Sequence, residues 1–156
     1  MGAILDTVIR FLHEDGWHPE QMGQQPIFGG RIEADNGSWE YVVQVWEDMH
    51  QVIFYSRLPR EENVPPERRL AVAEYMCRAN CGLGIGNFEL DFTDGQVRFR
   101  TSLDLEDGEL TPAMIRTLAY INVSVVNHHL PGLRQVISEG VAPELAIAWV
   151  QARMSD

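Results

Sequence analysis

The segment GNFELDFTDGQVRFRTSLDL, residues 86–105, constrains the fold of this chain more strongly than any other. Apolar and charged side chains alternate on both sides of Asp94-Gly95, a dipeptide that favours the two-residue turn of a β-hairpin. Such a hairpin has one apolar face for a core and one face of paired opposite charges, which suits a solvated sheet surface better than a catalytic site. The predicted register pairs Phe92 with Val97, Leu90 with Phe99 and Phe88 with Thr101 on the apolar face, and Asp91 with Arg98 and Glu89 with Arg100 on the charged face.

Three more strands are predicted in the first half of the chain, where apolar residues again alternate with polar ones. Asn36-Gly37 predicts a hairpin turn between the first two strands, and a tight turn around Asp48-Met49 joins the second to the third. The predicted strands lie near residues 27–34, 38–47 and 51–58, with Ile32 opposite Tyr41, Gly30 opposite Val43, Phe28 opposite Val45, Val45 opposite Val52, and Val43 opposite Phe54.

The opposite face of these three strands is also apolar, unlike the charged face of the later hairpin. A contiguous exposed apolar patch on a soluble protein typically marks a surface for a partner. Two interpretations are open at this point: the patch binds another protein, or a helix of the same chain covers it. Its predicted members are Ile27, Val42, Trp46, Ile53 and Tyr55, beside Arg31, Glu40, Gln44 and Arg57.

Helical periodicity and capping residues predict the remaining elements. With short connections between the strands, the predicted order is α-βββ-α-ββ-α-α, which indicates an α+β fold with an antiparallel sheet flanked by helices. No change in composition marks a boundary, so residues 1–156 are predicted to form a single domain. The predicted helices are residues 3–13 ending before Gly16, Pro66 to about Asn80, Thr111-Pro112 to about Leu130 with a break at Pro131-Gly132, a short helix to Ser138, and about Pro143 to Arg153.

The net charge of the chain limits the classes of molecule that it can bind. The chain has 12 basic residues, all of them arginine, against 23 acidic ones, and its formal net charge is −11. This charge repels phosphate backbones and anionic lipid, so we expect no nucleic-acid or membrane partner, and a basic protein segment is favoured instead. No apolar run approaches the ~20 residues of a membrane span. Because the first residues also lack the features of a signal peptide, a cytoplasmic protein is expected.

The sequence contains no recognisable motif for catalysis, cofactor binding or metal binding. The run GLGIG at residues 82–86 follows a helix and enters a strand, the reverse of a dinucleotide-binding turn. Cys77 and Cys81 have no further ligands at metal-binding spacing, so they are predicted to be small buried thiols. His128 and His129 are adjacent on a helix and therefore point in different directions. We expect no enzyme activity, no cofactor and no metal; an enzyme would need a cleft that brings a His and a carboxylate together.

Two segments, GNFELDFTDGQVRFRTSLDL and LTPAMIRTLAYINVSVVNHHLPGL, resemble the YbjN family, to which a role in regulating bacterial sensory transduction is ascribed. The resemblance is strongest from about Gly84 to Leu133. It implies a fold like that of the type III secretion chaperones, a small α+β domain with an antiparallel sheet flanked by helices. It also implies a non-enzymatic, often dimeric protein that binds other proteins, and it supplies no catalytic residues.

The sequence therefore favours a non-catalytic protein-binding domain, a regulator or chaperone-like adaptor that forms a homodimer. The predicted binding surface is the apolar sheet face, with Trp46 and Tyr55 as its anchors, because large aromatic side chains dominate binding energy once they are desolvated. The alternative is a small-ligand sensor, which requires a pocket with a few converging polar groups between the sheet and the helices.

Overall fold

The computed structural model describes residues 2–153, which form six strands and four α-helices in one α+β unit. The predicted order of elements is confirmed, with one short additional strand, β1, before the first predicted one. Single 3₁₀ turns cover Glu47–Met49, Arg60–Glu62 and Pro66–Arg68. The helices are α1 (Ala3–Glu14), α2 (Arg69–Asn80), α3 (Pro112–Ser138) and α4 (Pro143–Ala152), and the strands are β1 (Glu20–Gln21), β2 (Ile27–Ala34), β3 (Gly37–Trp46), β4 (Gln51–Arg57), β5 (Asn87–Leu90) and β6 (Val97–Asp104).

The six strands form one antiparallel sheet in the order β1-β2-β3-β4-β6-β5. The helices pack on one face of it, α3 against β4 and β6, α2 against β5, and α1 and α4 against α3. The core lies between these two layers and includes Trp39, Tyr41 and Phe54 of the sheet. Within residues 2–153, no helix combines the length and apolar character that a membrane crossing requires.

Helix α3 is fixed to the middle of the sheet by Asn122, whose side chain is fully buried. Its amide nitrogen donates hydrogen bonds to the carbonyl oxygens of Phe54 (2.9 Å) and Phe99 (3.1 Å) and to Oγ1 of Thr101 (3.2 Å). The Thr101 hydroxyl donates in turn to the carbonyl oxygen of Leu118 on α3 at 2.9 Å. These bonds tie the helix to β4 and β6 together and fix the side of the sheet on which it lies.

The register of the β5–β6 hairpin differs from the predicted one by two residues. Leu90 pairs with Val97 and Phe88 with Phe99, so the connection is a six-residue loop, 91–96, instead of a two-residue turn. Bonds within the loop, such as that from the Gly95 N–H to the Asp91 carbonyl oxygen (2.7 Å), are joined by a tertiary one from the Val64 N–H to the carbonyl oxygen of Gly95 (2.7 Å). A shift of two residues leaves the side chains that remain in the strands on their predicted faces, because strand side chains alternate with a period of two. The predicted place of Phe92 on the apolar face is wrong, since it lies in the loop and is 53% exposed.

The β2–β3 hairpin shows the same kind of difference. Ala34 pairs with Gly37, so Asp35-Asn36 occupies the turn in place of the predicted Asn36-Gly37, and Phe28 lies opposite Val43 instead of Val45. The two faces are again as predicted. The β3–β4 register is confirmed, with Val45 opposite Val52 and Val43 opposite Phe54.

The predicted break at Pro131-Gly132 is wrong, since α3 continues through both residues to Ser138. Proline has no N–H to donate to the carbonyl oxygen of Asn127, four residues earlier. That oxygen instead accepts a hydrogen bond from the side-chain amide of Asn36 at 2.8 Å, and the Asn127 side chain accepts from the Asn36 N–H at 2.9 Å. Gly132 serves close packing: a Cβ there would lie 2.5 Å from the Tyr75 hydroxyl.

Replacing Asn36 by Ala tests this contact, because it leaves the Asn127 carbonyl without a partner next to Pro131. We expect Asn36→Ala to lower the free energy of unfolding by about 1–2 kcal/mol in the native sequence. In a Pro131→Ala background, residue 131 regains an N–H for that carbonyl, so the same change should cost less. Urea unfolding of the two single variants and the double variant measures the coupling; strictly additive effects would contradict the proposed compensation.

Candidate functional site

The five residues predicted to form an apolar surface lie together on the sheet face that carries no helix. Val42 lies opposite Tyr55, Ile27 and Ile53 both lie opposite Gln44, and Trp46 follows on β3. We call this face the sheet back and these five residues its apolar patch. The register places the patch across β2, β3 and β4, which are the second, third and fourth strands in the order of the sheet.

The choice between a covered and an uncovered patch is decided by the helix positions. Within residues 2–153, the helices pack on the opposite face, where Asn122 and Thr101 mark the contact of α3 with the sheet. Trp46 is 41% exposed, and Ile27 and Tyr55 are partly exposed. Val42 and Ile53 are buried, yet they lie outside the main core cluster. Their shielding therefore comes from neighbouring side chains on the sheet back itself.

Charged side chains border the patch and pair with one another. Glu40 accepts a 2.7 Å hydrogen bond from Arg57, and Glu89 contacts both Arg98 (3.3 Å) and Arg100 (3.0 Å). The predicted Asp91–Arg98 pairing is replaced by this shared carboxylate. Such exposed pairs contribute about 0–1 kcal/mol each. The sheet back has nearly balanced charge although the chain is strongly acidic; its charged residues are Arg31, Arg57, Arg98 and Arg100 against Glu20, Glu33, Glu40, Glu89 and Asp104.

Two details of the sheet back suit it for contact with another protein. The guanidinium of Arg98 lies 5.5 Å from the centre of the Tyr55 ring, which orients both side chains. A hollow of about 250 Å³ adjoins Trp46 and Ile53, with Arg100 and Asp104 at its border. It is smaller than the roughly 300–1,000 Å³ of typical small-molecule sites, so a single side chain of a partner fits it better than a metabolite does.

A second concave region lies away from the sheet back, where α2 ends. This cavity of about 380 Å³ is bounded by the end of α2, the turn that follows it, one side of α3 and the end of α4. By contrast, the space between the sheet and α3, where the alternative of a small-ligand sensor requires a pocket, measures about 10 Å³. That volume holds roughly one water molecule. The residues around the larger cavity are Ala79, Cys81, Gly82, Leu83, Ser124, Val125, His128, His129 and Gln151.

The prediction of buried thiols is wrong, because Cys77 and Cys81 are both exposed. The apolar face of α2 consists of Val72, Tyr75 and Ala79 with Met76, and it directs Cys77 toward solvent. Within residues 2–153, no group of three or more His, Cys, Asp and Glu side chains is arranged to hold a metal ion.

The adjacent histidines His128 and His129, for which no role was predicted, have different surroundings. His129 is 7% exposed, and its Nδ1 lies 2.9 Å from the Tyr75 hydroxyl, which also donates to the His129 carbonyl oxygen at 3.2 Å. Burial lowers the pKa of His129 to about 4 and raises the pKa of Tyr75. The pKa of His128 is also lowered, first by burial and then by Arg153. The Nε2 atom of His128 is enclosed and has no hydrogen-bond partner among the described residues.

Comparison with known proteins gives a family match over most of the chain and a distant structural likeness. The model of the YbjN family, described as "Putative bacterial sensory transduction regulator", matches residues 5–133. Among solved structures, a chain from the crystal structure of the ExsC-ExsE complex is similar, with a TM-score of 0.47 and 8% identity over 80% of this chain and 90% of that one. That likeness is too distant to bear on function. Among curated proteins, none matches this chain.

The buried His129 makes stability depend on pH. Its pKa of about 4 lies below the ordinary value of about 6.5 that the unfolded chain regains, so the unfolded state binds the proton more readily. The contribution of neutral His129 to the free energy of unfolding is therefore fully present above about pH 6.5 and is lost as the pH drops toward 4. The free energy of unfolding should fall by about 2 kcal/mol between pH 7 and pH 5.

Urea unfolding at these two pH values checks this expectation. The variant His129→Gln should show a clearly smaller fall, because glutamine does not titrate and its side-chain amide can still form a hydrogen bond with the Tyr75 hydroxyl. The variant His13→Gln, at an exposed position on α1, is the control and should show the full fall. An undiminished fall in His129→Gln would rule out His129 as the source.

Proposed function

This chain belongs to the YbjN family, and we propose that it is a non-catalytic protein-binding domain, a cytoplasmic regulator or chaperone-like adaptor that acts through the sheet back and forms a homodimer. The observation that carries the proposal is an apolar patch that no helix covers within residues 2–153. A small protein gains stability by placing such residues under a helix. An uncovered patch on a folded domain is therefore typical of a binding surface.

Trp46 and Tyr55 are the anchors of this surface. Trp46 is the most exposed member of the patch, and it borders the hollow that also contacts Ile53 and Arg100. Tyr55 is held by the Arg98 guanidinium. Interface energy concentrates in a few Trp, Tyr and Arg side chains that become fully desolvated near the centre of a contact. The buried pair Val42 and Ile53 provides a preformed apolar floor between these anchors.

A second copy of the chain is the occupant that we propose for the isolated protein. Two molecules that each carry a charge of −11 repel one another, so they associate with least electrostatic cost through a locally neutral surface. The sheet back comes close to that condition, because its four arginines offset four of its five carboxylates. A two-fold contact requires a self-complementary surface; Trp46, at the end of β3, and Tyr55, opposite Val42 in the middle of β3, are the side chains that would reach across it.

A foreign partner would compete for the same patch. The acidic surroundings favour a partner with basic residues on both sides of its apolar segment, since charges outside the contact steer association over about a Debye length. Regulation then follows from competition: the homodimer protects the patch until a partner segment replaces the second copy.

Light scattering on three proteins tests this proposal, with Trp149 on α4 as the matched control, since it is 39% exposed against 41% for Trp46. The native protein and Trp149→Arg should both have twice the chain mass of 17.7 kDa. Trp46→Arg should dissociate, with the dimer Kd raised at least about thirtyfold, as expected for a lost anchor worth about 2 kcal/mol.

Circular dichroism establishes that both variants are folded before the masses are compared. A dimer that survives Trp46→Arg, or one that only Trp149→Arg dissociates, would contradict the assignment of the surface. A native protein with the mass of one chain would contradict the homodimer.

A further inference from the structure

A larger hollow lies on the other side of the apolar patch, where β1 meets β2. It is a trough of about 430 Å³ over Gly29, and we call it the Gly29 trough. Gly29 lies directly opposite Val42, so the trough adjoins the patch within one row of side-by-side residues. Its charged border consists of Glu20, Glu40 and Arg31, of which Glu20 forms no ion pair within residues 2–153.

No side chain of β2 can fill this trough. A Cβ at Gly29 would lie 2.4 Å from the Tyr41 carbonyl oxygen and 2.7 Å from the Met22 sulfur, so only glycine fits that position. The space over the bare backbone is well above the roughly 150 Å³ that encloses a benzene ring. An aromatic side chain of another molecule therefore fits the trough.

The row that contains Gly29 has opposite properties on the two sides of β3. Val42 on β3 lies between Gly29 of β2 and Tyr55 of β4. One strand further out, Glu20 of β1 lies opposite Gly29, and Arg100 of β6 lies opposite Tyr55. One side of the row is thus hollow and acidic, and the other side is aromatic and basic.

The neighbouring row is symmetric about the same strand, since Ile27 and Ile53 lie one strand to each side of Gln44. A two-fold axis that runs along β3 in the plane of contact keeps each row at its height and exchanges its two sides. It places Ile27 against Ile53 of the second copy. It also keeps the strands of the two sheets aligned, as they are in most packed sheets.

We propose that Tyr55 of each copy occupies the Gly29 trough of the other copy, an inference that rests on the homodimer proposed above. The axis along β3 brings these two sites together, because they lie in one row, one strand to each side of β3. It also places Arg100 of one copy over Glu20 of the other, and this supplies the ion pair that Glu20 lacks in its own chain. Trp46, on β3 itself, meets Trp46 of the second copy at the axis.

The other aligned arrangement of two sheets has its axis across the strands, and it leaves the trough unfilled. Each strand then lies over the same strand of the second copy, so β2 faces β2. On the sheet back β2 carries Ile27, Gly29, Arg31 and Glu33, none of which is aromatic. The axis along β3 instead buries Tyr55 in the trough, and the charged row that contains Glu40 lies toward the border, where water and salt screen it.

Chemical cross-linking tests the contact in a chain whose exposed native cysteines are replaced (Cys77→Ser, Cys81→Ser). Glu20→Cys and Arg100→Cys are added together, and a short bis-maleimide joins thiols over about 10 Å, the spacing of packed sheets. Within one chain the two positions are four strands apart, roughly 19 Å, so the linker joins only different copies. We expect a covalent dimer from this pair and little from either single cysteine.

The matched control is Glu20→Cys with Asp104→Cys. Asp104 lies on the same strand and the same face as Arg100, but four residues further along, so this pair should not be joined. Circular dichroism establishes that each variant is folded. A native dimer that joins 20 to 104 as readily as 20 to 100, or joins neither, would overturn the proposal.

Charge reversal gives a second test that leaves Arg100 unchanged. Glu20→Arg removes two negative charges from each copy, which by itself favours association of two acidic chains. The proposed contact sets the new arginine against Arg100 of the second copy, so the dimer Kd should instead rise at least about fivefold. Glu14→Arg, at an exposed position on α1, changes the net charge equally and should not raise the Kd.

These outcomes separate the trough from the homodimer itself. A dimer Kd that Glu20→Arg leaves unchanged or lowers would overturn the seating of Tyr55 in the trough, while Trp46→Arg still judges the sheet back. A native protein with the mass of one chain would contradict both proposals and leave the trough to a side chain of a foreign partner.

Discussion

The hydrogen bonds of Asn122 are the interaction on which the rest of the structure depends. One buried amide binds backbone carbonyls of β4 and β6 and the Thr101 hydroxyl, and it thereby fixes the longest helix over the centre of the sheet. The other helices pack beside or against α3 in the same layer. The amide nitrogen is favourable inside the core only while its bonds are made, because a buried polar group without partners is costly; the Oδ1 of the same amide has no hydrogen-bond partner among the described residues. The position of α3 is therefore specific, and the helical layer forms on one side of the sheet.

Because helices cover only one face of the sheet, the molecule has two different surfaces. The side without helices carries Trp46 and Tyr55 above a floor of Val42 and Ile53, with charges that are already paired. Among the helices, the meeting of α2, α3 and α4 leaves a cavity beside His128. Helix α3 takes part in both arrangements, since it holds the sheet through Asn122 and lines the cavity through its next turns.

The faces of the strands were predictable from the sequence, as was the β3–β4 register, whereas the registers of the β2–β3 and β5–β6 hairpins were not. Side chains alternate with a period of two, so the residues within these strands lie on their predicted faces although each register is displaced by two, while Phe92 falls in the loop and is exposed. Tertiary bonds that no local turn preference contains accompany the displaced turns, from Val64 to Gly95 and between Asn36 and Asn127. The helix break predicted at Pro131 is wrong for a similar reason. Pro131 cannot donate a hydrogen bond to the Asn127 carbonyl oxygen, but Asn36 in the distant β2–β3 hairpin donates one instead. The apolar patch could be identified from alternation alone, but the cavity could not, since it depends on how three helices meet.

Fluorine NMR of the protein labelled with fluorotryptophan tests most directly whether the sheet back contacts a second molecule. The chain has four tryptophans, and the variants Trp46→Phe and Trp149→Phe assign the two exposed ones. We predict that the Trp46 resonance moves as the protein is diluted from dimer to monomer, while the Trp149 resonance stays fixed. A Trp46 resonance that stays fixed over the whole concentration range would contradict the sheet back as the binding surface.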